Sequence, residues 1–255
     1  MSVLATVLEE VSIEKLRANE LEEARNLQLA MIPKEPMRGG RFEFGSRFRP
    51  AACVGGDFLD YFTLSDGTAA FYVGDVMGKG LPAALYAALA VGTLRGIHKT
   101  GEPPVQVLEL FNRRLRMRHM PERFFSVHYG IYDPATRLLR YANAGLPLPL
   151  HISPRGCQPL GGGGIPAGMF DASTYFTQVV QLEAGDAVLF FTDGLSEARS
   201  ADGLDFGRDR IHSICTELQG ADTEQILEGV FSALEEFVGP RPQHDDIAAA
   251  VLKVY

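Results

Sequence analysis

The sequence predicts an α+β fold in which antiparallel β-sheet is covered by helices. Apolar, strand-like runs come in pairs joined by short turns, as in residues 58–73 around an Asp-Gly turn and 124–143 around an Asp-Pro turn. Such pairs are typical of antiparallel hairpins. The helical segments follow in blocks and do not alternate singly with strands, which argues against repeated βαβ units and a parallel sheet.

Size and charge narrow the functional classes. The chain has 255 residues, enough for one sizeable domain with an appendage. Its formal net charge of −8 argues against nucleic acid as the main partner, because a phosphate backbone attracts Lys and Arg. The same charge is compatible with a site that binds divalent cations. A role in keeping the protein soluble would also explain it.

Cysteine usage and the N-terminus predict a cytoplasmic protein. The three cysteines are far apart and form no CxxC pair, so they indicate neither a disulfide framework nor a zinc site. Acidic residues stand near the N-terminus, where a signal peptide would carry a basic segment. The most apolar helical run, Ala83–Val91, is about half of what a membrane span needs. We therefore expect no membrane partner.

Residues 1–32 predict one long helix, because they are rich in Leu, Glu, Ala and Arg and contain no Gly or Pro before Pro33. The apolar stripe of this segment has an imperfect heptad spacing. It fits either a coiled coil that joins two copies of the chain or a helix packed on its own domain. We interpret 1–32 as a linker or dimerisation helix and 33–255 as the globular domain.

The remaining elements follow from alternating apolar residues, turn signals and helix starts. Phe42, Phe44 and Phe48 alternate as in a strand, and Pro82 near the start of an Ala-rich run favours a helix there. The predicted strands are 42–48, 58–64, 68–73, 124–132, 138–143, 175–182, 187–192 and 247–254. The predicted helices are 80–98, 104–118, 208–218 and 223–238, with a loop-rich stretch at 147–168.

Four aspartates share one setting, at the end of an apolar run or in a glycine-bounded turn: Asp57, Asp75, Asp193 and Asp245. Turn chemistry alone would explain any single one of them. Strand ends converge in many folds, however, and clustered carboxylates repel one another unless a cation neutralises them. Hard oxygen ligands favour Mg²⁺ or Mn²⁺, and a pair of such ions can activate a water and hold a phosphoryl group. The pattern indicates a candidate metal site.

A series of stretches in order, covering about residues 25–255, resembles the PPM (PP2C-like) phosphatase family in its bacterial SpoIIE/RsbU-type branch. The matching stretches are 49–60 (RPAACVGGDFLD), 74–85 (GDVMGKGLPAAL), 133–136 with 141–145 (DPAT and YANAG), 164–170 (GIPAGMF), 192–198 (TDGLSEA), 206–207 (FG) and 245–247 (DDI). The resemblance implies an α-β-β-α sandwich of two mainly antiparallel sheets flanked by helices, with an N-terminal helical extension.

The resemblance also implies a site. Two Mn²⁺ or Mg²⁺ ions would be held by the four aspartates, which are the catalytic residues, with Asp75 bridging the ions and the Val76 backbone carbonyl completing one of them. A water activated by the two metals would attack the phosphorus without a covalent phosphoenzyme. Asp60, Gly74, Asp246 and His244 form a second tier of candidates. Asp246 is an alternative to Asp245, Gly74 would let the backbone approach the metals, and His244 is a candidate general acid.

Three departures from the family pattern bear on activity. Ala248 stands where the family usually has Thr, and Leu146 stands where it usually has His. No counterpart of the phosphate-binding Arg of eukaryotic members precedes Asp57 at the matching distance. Arg47, Arg49 and Lys79 are substitutes for it or solvated surface residues.

The implied function is that of a serine/threonine phosphoprotein phosphatase acting on a regulatory phosphoprotein, such as an anti-sigma-factor antagonist with a STAS-type fold. The alternative is a catalytically weak or inactive signalling or binding module on the same fold. A phosphate-binding P-loop at 74–80 is rejected, because the spacing is one residue short and Gly80 stands where Ser or Thr should be.

Overall fold

The computed structural model describes residues 3–98, 102–117 and 123–255, with the side chains of 3–12 and 98 outside the described part. The strands are β1 (Met37–Gly39), β2 (Phe42–Arg49), β3 (Phe58–Thr63), β4 (Ala69–Val76), β5 (Phe125–Asp133), β6 (Leu138–Ala144), β7 (Leu150–Ser153), β8 (Gly156–Pro159), β9 (Gln178–Gln181), β10 (Ala187–Phe191) and β11 (Ile247–Val254). The helices are α1 (Val3–Ala30), α2 (Gly80–His98), α3 (Pro104–Met117), α4 (Asp193–Ser196), α5 (Arg208–Glu217) and α6 (Thr223–Val238).

The strands form two sheets, and every pairing between named strands is antiparallel. The six-stranded sheet has the order β1-β2-β11-β10-β7-β8, and the five-stranded sheet has the order β3-β4-β5-β6-β9. The predicted hairpins β3–β4 and β5–β6 are confirmed. The first strands of the chain and its last strand meet in one sheet, since β11 pairs with β2 along its whole length.

An aromatic layer fills the space between the two sheets. Phe44 of β2, Phe71 of β4 and Phe190 of β10 are fully buried there, and the rings of Phe71 and Phe190 are 4.5 Å apart. Alternate residues of each strand face opposite ways. In β11, for example, Ala248 faces this layer while Ala249 faces the helices outside it. Strands buried on both faces explain the nearly continuous apolar runs of the sequence.

Helices cover both outer faces of the sandwich. Helices α2 and α3 pack on the five-stranded sheet through residues such as Leu94 and Phe111. Helices α5 and α6 pack on the six-stranded sheet through residues such as Ile211 and Val230. The layers are therefore α-β-β-α, and the predicted fold class is confirmed.

Local signals at the helix ends agree with the observed bounds. Asp222 accepts a hydrogen bond from the Gln225 backbone N–H, and the Gln225 side chain accepts one from the Asp222 backbone N–H. This capping box begins α6. Gly239 ends the helix with a φ of 64°, a conformation that glycine adopts without strain.

Helix α2 passes a length and hydropathy test for a membrane span over Gly80–Ile97, a longer apolar run than Ala83–Val91. The core helix of a soluble domain passes the same test, so this is weak evidence for a span. One face of α2, which includes Ala87 and Leu94, lies in the core against the five-stranded sheet.

Four short elements differ from the sequence prediction. Strands β7 and β8 lie inside the stretch predicted as loop, β1 lies between the predicted helix 1–32 and the predicted strand 42–48, and α4 begins two residues after the end of β10. All four span only three or four residues, too few to show a hydrophobic period. Residue 118, the predicted end of the second helix, lies outside the described residues.

The N-terminal helix contacts the domain through its last turns. Gln28 is buried, and Met31 packs against the core beneath α2, whereas Leu16 and Leu27 expose 59% and 70% of their surface. The proposed division at residue 32 and the dimerisation of this helix remain predictions.

His128 of β5 is a fully buried titratable group in the aromatic layer. Its ring centre lies 5.5 Å from that of Phe190, and its Nε2 donates to the Pro147 carbonyl at 2.9 Å. Its Nδ1 has no hydrogen-bond partner in the described part of the chain. Burial lowers the pKa of His128 to about 4. The folded protein therefore holds this imidazole neutral.

The buried imidazole predicts a loss of stability in mild acid. The unfolded chain protonates His128 near pH 6.5, whereas the folded protein resists protonation until pH 4, so its contribution is full above pH 6.5 and falls below it. We expect the free energy of unfolding to fall by about 2 kcal/mol between pH 6.5 and 5 for this reason. Urea unfolding of wild type and His128→Phe at a series of pH values gives the free energy of unfolding of each protein. The difference between their pH dependences measures the contribution of His128. The same pH dependence in both proteins would contradict the prediction.

Candidate metal centre

The strand register brings the four predicted aspartates to one end of the sandwich. Asp57 directly precedes β3, and Asp75 lies near the end of β4; these two strands are antiparallel, so the start of one lies beside the end of the other. In the other sheet Asp193 follows β10 after Thr192, and Asp245 lies two residues before the start of β11. The side chains come from both sheets and meet where the sheets face each other.

Asp57 and Asp75 lie close together, since each carboxylate affects the pKa of the other. The loop that carries Asp57 approaches the end of β4 closely. A Cβ on Gly56 would lie 2.9 Å from the Val76 carbonyl oxygen and 3.4 Å from Asp75 Oδ1. A side chain at this position would therefore push the loop away from both groups, and glycine permits the close approach.

Burial and mutual repulsion disfavour negative charge in this cluster. Burial, and next the Asp75 carboxylate, raise the pKa of Asp57 well above its ordinary value. Burial, and next the charge of Asp193, raise the pKa of Asp75 to about 7. Burial, Glu197 and Asp245 raise the pKa of Asp193. All three shifts have the same physical cause, like charges held close together away from water, and a bound cation would relieve it.

Thr192 orients the Asp57 carboxylate. Its hydroxyl donates to Asp57 Oδ2 at 2.7 Å and accepts from the Ala248 backbone N–H at 2.9 Å. Thr192 is fully buried at the end of β10, beside β11. The hydroxyl therefore links the aspartate of one sheet to the backbone of the other.

The neighbours Asp245 and Asp246 have different surroundings. Asp245 is partly exposed and forms an ion pair with Lys79, whose Nζ lies 3.1 Å from Asp245 Oδ2. Asp246 is buried, and its two carboxylate oxygens accept from the backbone N–H groups of Ala51 and Gly56 at 2.7 and 2.6 Å. Asp246 thus holds the loop that leads to Asp57, while Asp245 is the more accessible carboxylate.

Asp60 and Gly74, two of the second-tier candidates, make contacts of a structural kind. The Asp60 carboxylate accepts from Arg95 at 2.8 Å and from the Tyr72 hydroxyl at 3.1 Å, which ties β3 to α2. The space beside Gly74 is filled by the Phe58 ring, so a Cβ there would collide with it. These contacts favour a packing role for Gly74.

His244 lies beside the centre and is exposed. Its carbonyl accepts a hydrogen bond from Lys79 Nζ at 2.6 Å, and its Nδ1 is 3.4 Å from the same atom. Its role as a general acid remains a prediction.

Sequence analysis missed a buried contact between α1 and the loop before Asp57. The Gln28 side chain donates to the Gly55 carbonyl at 2.6 Å and accepts from the Gly55 backbone N–H at 3.0 Å. It also missed the role of Thr192. Neither residue carries a local signal, because both contacts join segments that are distant in sequence.

The chemistry of this donor set fits a divalent cation. Buried carboxylates of like charge are hard oxygen donors, and a cation would relieve their repulsion. Among the described residues, no three His, Cys, Asp or Glu side chains are grouped so that they could hold one ion as they stand. Protein donors occupy two of the carboxylates, since Thr192 bonds Asp57 and Lys79 pairs with Asp245. Binding an ion would require a rearrangement of these side chains.

Two curated relatives are similar in sequence. Protein IcfG of Synechocystis is 27% identical over 256 residues, which cover 89% of this chain and 40% of the relative. Phosphoserine phosphatase RsbU of Bacillus subtilis is 24% identical over 237 residues, which cover 92% of this chain and 70% of the relative. The chain thus spans less than half of IcfG and about two thirds of RsbU.

Solved structures show the same fold. The SiaA-PP2C domain of Pseudomonas aeruginosa superposes with a TM-score of 0.83 at 23% identity, covering 95% of this chain and 99% of that domain. The match confirms the PP2C-like sandwich. Residues 65–255 match the family described as stage II sporulation protein E. The chain therefore belongs to the stage II sporulation protein E (SpoIIE) family.

Proposed function

We propose that the protein is a metal-dependent serine/threonine phosphoprotein phosphatase. The observation that carries this proposal is the convergence of Asp57, Asp75, Asp193 and Asp245 at the end of the sandwich where the two sheets face each other. Similarity to phosphoserine phosphatase RsbU supports the reaction type. Soluble cytoplasmic action remains part of the proposal.

Two Mn²⁺ or Mg²⁺ ions would be held by these four carboxylates, with the Val76 carbonyl as a further oxygen donor. The ions would supply Lewis-acid chemistry, which activates a water and offsets charge on the phosphoryl oxygens. The protein's own contribution is positioning. Thr192 orients Asp57, and Asp246 together with Gln28 holds the loop that presents it.

The proposed substrate is a phosphoserine or phosphothreonine of a regulatory protein, such as an anti-sigma-factor antagonist with a STAS-type fold. Membership of the SpoIIE family supports a signalling role. A homodimer formed through residues 1–32 is also proposed, because several apolar side chains of α1 remain exposed, including Leu16 and Leu27.

A second candidate function is a binding module without turnover. The ion pair between Lys79 and Asp245 favours it, because an ammonium group already balances one carboxylate of the centre. Calorimetric titration with Mn²⁺ separates the two candidates. A binding module of this kind would not take up the metal, whereas a phosphatase would.

Removing the charge of one aspartate tests the proposed metal site. Replacing one charged ligand with a neutral amide weakens the hold on a divalent cation. We expect wild type to hydrolyse p-nitrophenyl phosphate and a phosphothreonine peptide only with Mn²⁺ or Mg²⁺, and Asp193→Asn to lose about 100-fold or more of this activity. Asp202→Asn, in an exposed turn, serves as the matched control. Equal activity of Asp193→Asn and wild type would refute the assignment.

Substitutions of Thr192 test whether its hydroxyl positions Asp57 for metal binding. Thr192→Val keeps the shape but removes the donor to Asp57, so Mn²⁺ affinity measured by calorimetry should fall about 10- to 100-fold. Thr192→Ser retains the hydroxyl and should stay near wild type. If the two variants bound Mn²⁺ equally well, the hydroxyl would have no positioning role.

Asp245 and Asp246 are expected to have different roles, which substitutions of each residue distinguish. Asp246→Asn places an amide N–H against one of two backbone N–H groups, so the free energy of unfolding should fall by about 2 kcal/mol. Asp245→Asn should change it by less than about 0.5 kcal/mol, because an exposed Lys79 ion pair contributes little, yet should weaken Mn²⁺ binding. Urea unfolding and calorimetry measure the two effects. The reverse order of destabilisation would contradict these roles.

A further inference from the structure

A cleft of about 720 Å³ opens directly beside the candidate metal centre. Asp245 lines it, and so does Gly194, the residue after Asp193. Its other walls come from α4, from the end of α6 and from the segment that leads to β11. Two further cavities of about 700 Å³ include none of the four aspartates in their lining. This cleft therefore adjoins the centre, which those two cavities do not.

The lining combines an apolar wall with charges of both signs. Val238 and Pro242 supply apolar surface, over the buried side chains of Leu234 and Ile247. Such a mixed surface is typical of contacts with polypeptide. A cavity of this size also exceeds what a phosphoryl group alone requires. When a phosphorylated side chain enters the centre, its flanking chain must leave over adjoining surface.

The three arginines of the cleft differ in their partners. Arg49 pairs with Glu235 at 2.9 Å, and Arg199 pairs with Asp205 at 3.3 Å. Arg241 is exposed, and its Nη1 donates to the Ser200 carbonyl at 2.9 Å. Among the residues that the structure describes, no carboxylate forms an ion pair with Arg241. A carbonyl oxygen does not neutralise a guanidinium, so Arg241 keeps a net positive charge at the cleft.

We propose that this cleft binds the polypeptide that flanks the phosphorylated residue, and that Arg241 selects an acidic side chain of that polypeptide. The inference rests on the proposed phosphatase function and adds a substrate preference to it. The guanidinium is suited to this role because it pairs with a carboxylate through two parallel hydrogen bonds. The attraction is local to Arg241 and is not a net charge of the cleft, because the exposed Glu197 of the same lining also forms no ion pair among the described residues.

The test uses two matched sets of phosphothreonine peptides, in which one glutamate or one lysine is moved along both sides of the phosphothreonine. Wild type, Arg241→Glu and Arg241→Gln are compared with Arg155→Glu, a charge reversal in the turn between β7 and β8 and outside the cleft lining. The readout is the ratio of kcat/KM for the glutamate and lysine peptides at saturating Mn²⁺. p-Nitrophenyl phosphate, which has no flanking chain, is the reference substrate.

We expect wild type and Arg155→Glu to prefer glutamate at one or more positions by about fivefold to tenfold. Arg241→Gln should remove this preference, and Arg241→Glu should invert it. An absence of preference in wild type, or the same preference in Arg241→Glu, would overturn the proposal. Peptide binding by fluorescence anisotropy tests the cleft without turnover. A preserved glutamate preference in binding with no hydrolysis of any substrate would refute the phosphatase function alone.

Discussion

Repulsion between carboxylates at the open end of a β-sandwich is the constraint on which the surrounding structure depends. Burial strengthens that repulsion, because water no longer screens the charges. Burial and the neighbouring carboxylates raise the pKa values of Asp57 and Asp75, and the Lys79 ammonium group forms an ion pair with Asp245. A divalent cation would relieve the repulsion that remains among these carboxylates.

The neighbouring contacts keep these carboxylates in place. Two side chains hold the loop before Asp57 by hydrogen bonds to its backbone. Asp246 bonds Gly56, and Gln28 bonds Gly55. Thr192 then fixes the carboxylate itself. The hydrogen bonds of Gln28 also connect the N-terminal helix to the centre. A change in how that helix packs would therefore alter the position of this loop.

Sequence patterns predicted the long helices and strands and singled out the four aspartates as candidate metal ligands. Hydrophobic period, turn chemistry and family motifs are local properties of the chain, so the sequence displays them directly. They did not reveal strands β7 and β8, since four-residue strands within a proline- and glycine-rich stretch show no period. They did not reveal that the Phe58 ring lies beside Gly74, where a Cβ would collide with it. The roles of Thr192 and Gln28 depend on contacts between distant segments, and only the folded arrangement shows them.

The central claim is that the four aspartates form a divalent metal site. X-ray diffraction from crystals grown with Mn²⁺, recorded at the manganese absorption edge, locates bound ions by their anomalous signal. We expect two peaks within coordination distance of the carboxylates of Asp57, Asp75, Asp193 and Asp245. A map without a peak among these carboxylates, in crystals that hold Mn²⁺ elsewhere or nowhere, would contradict it.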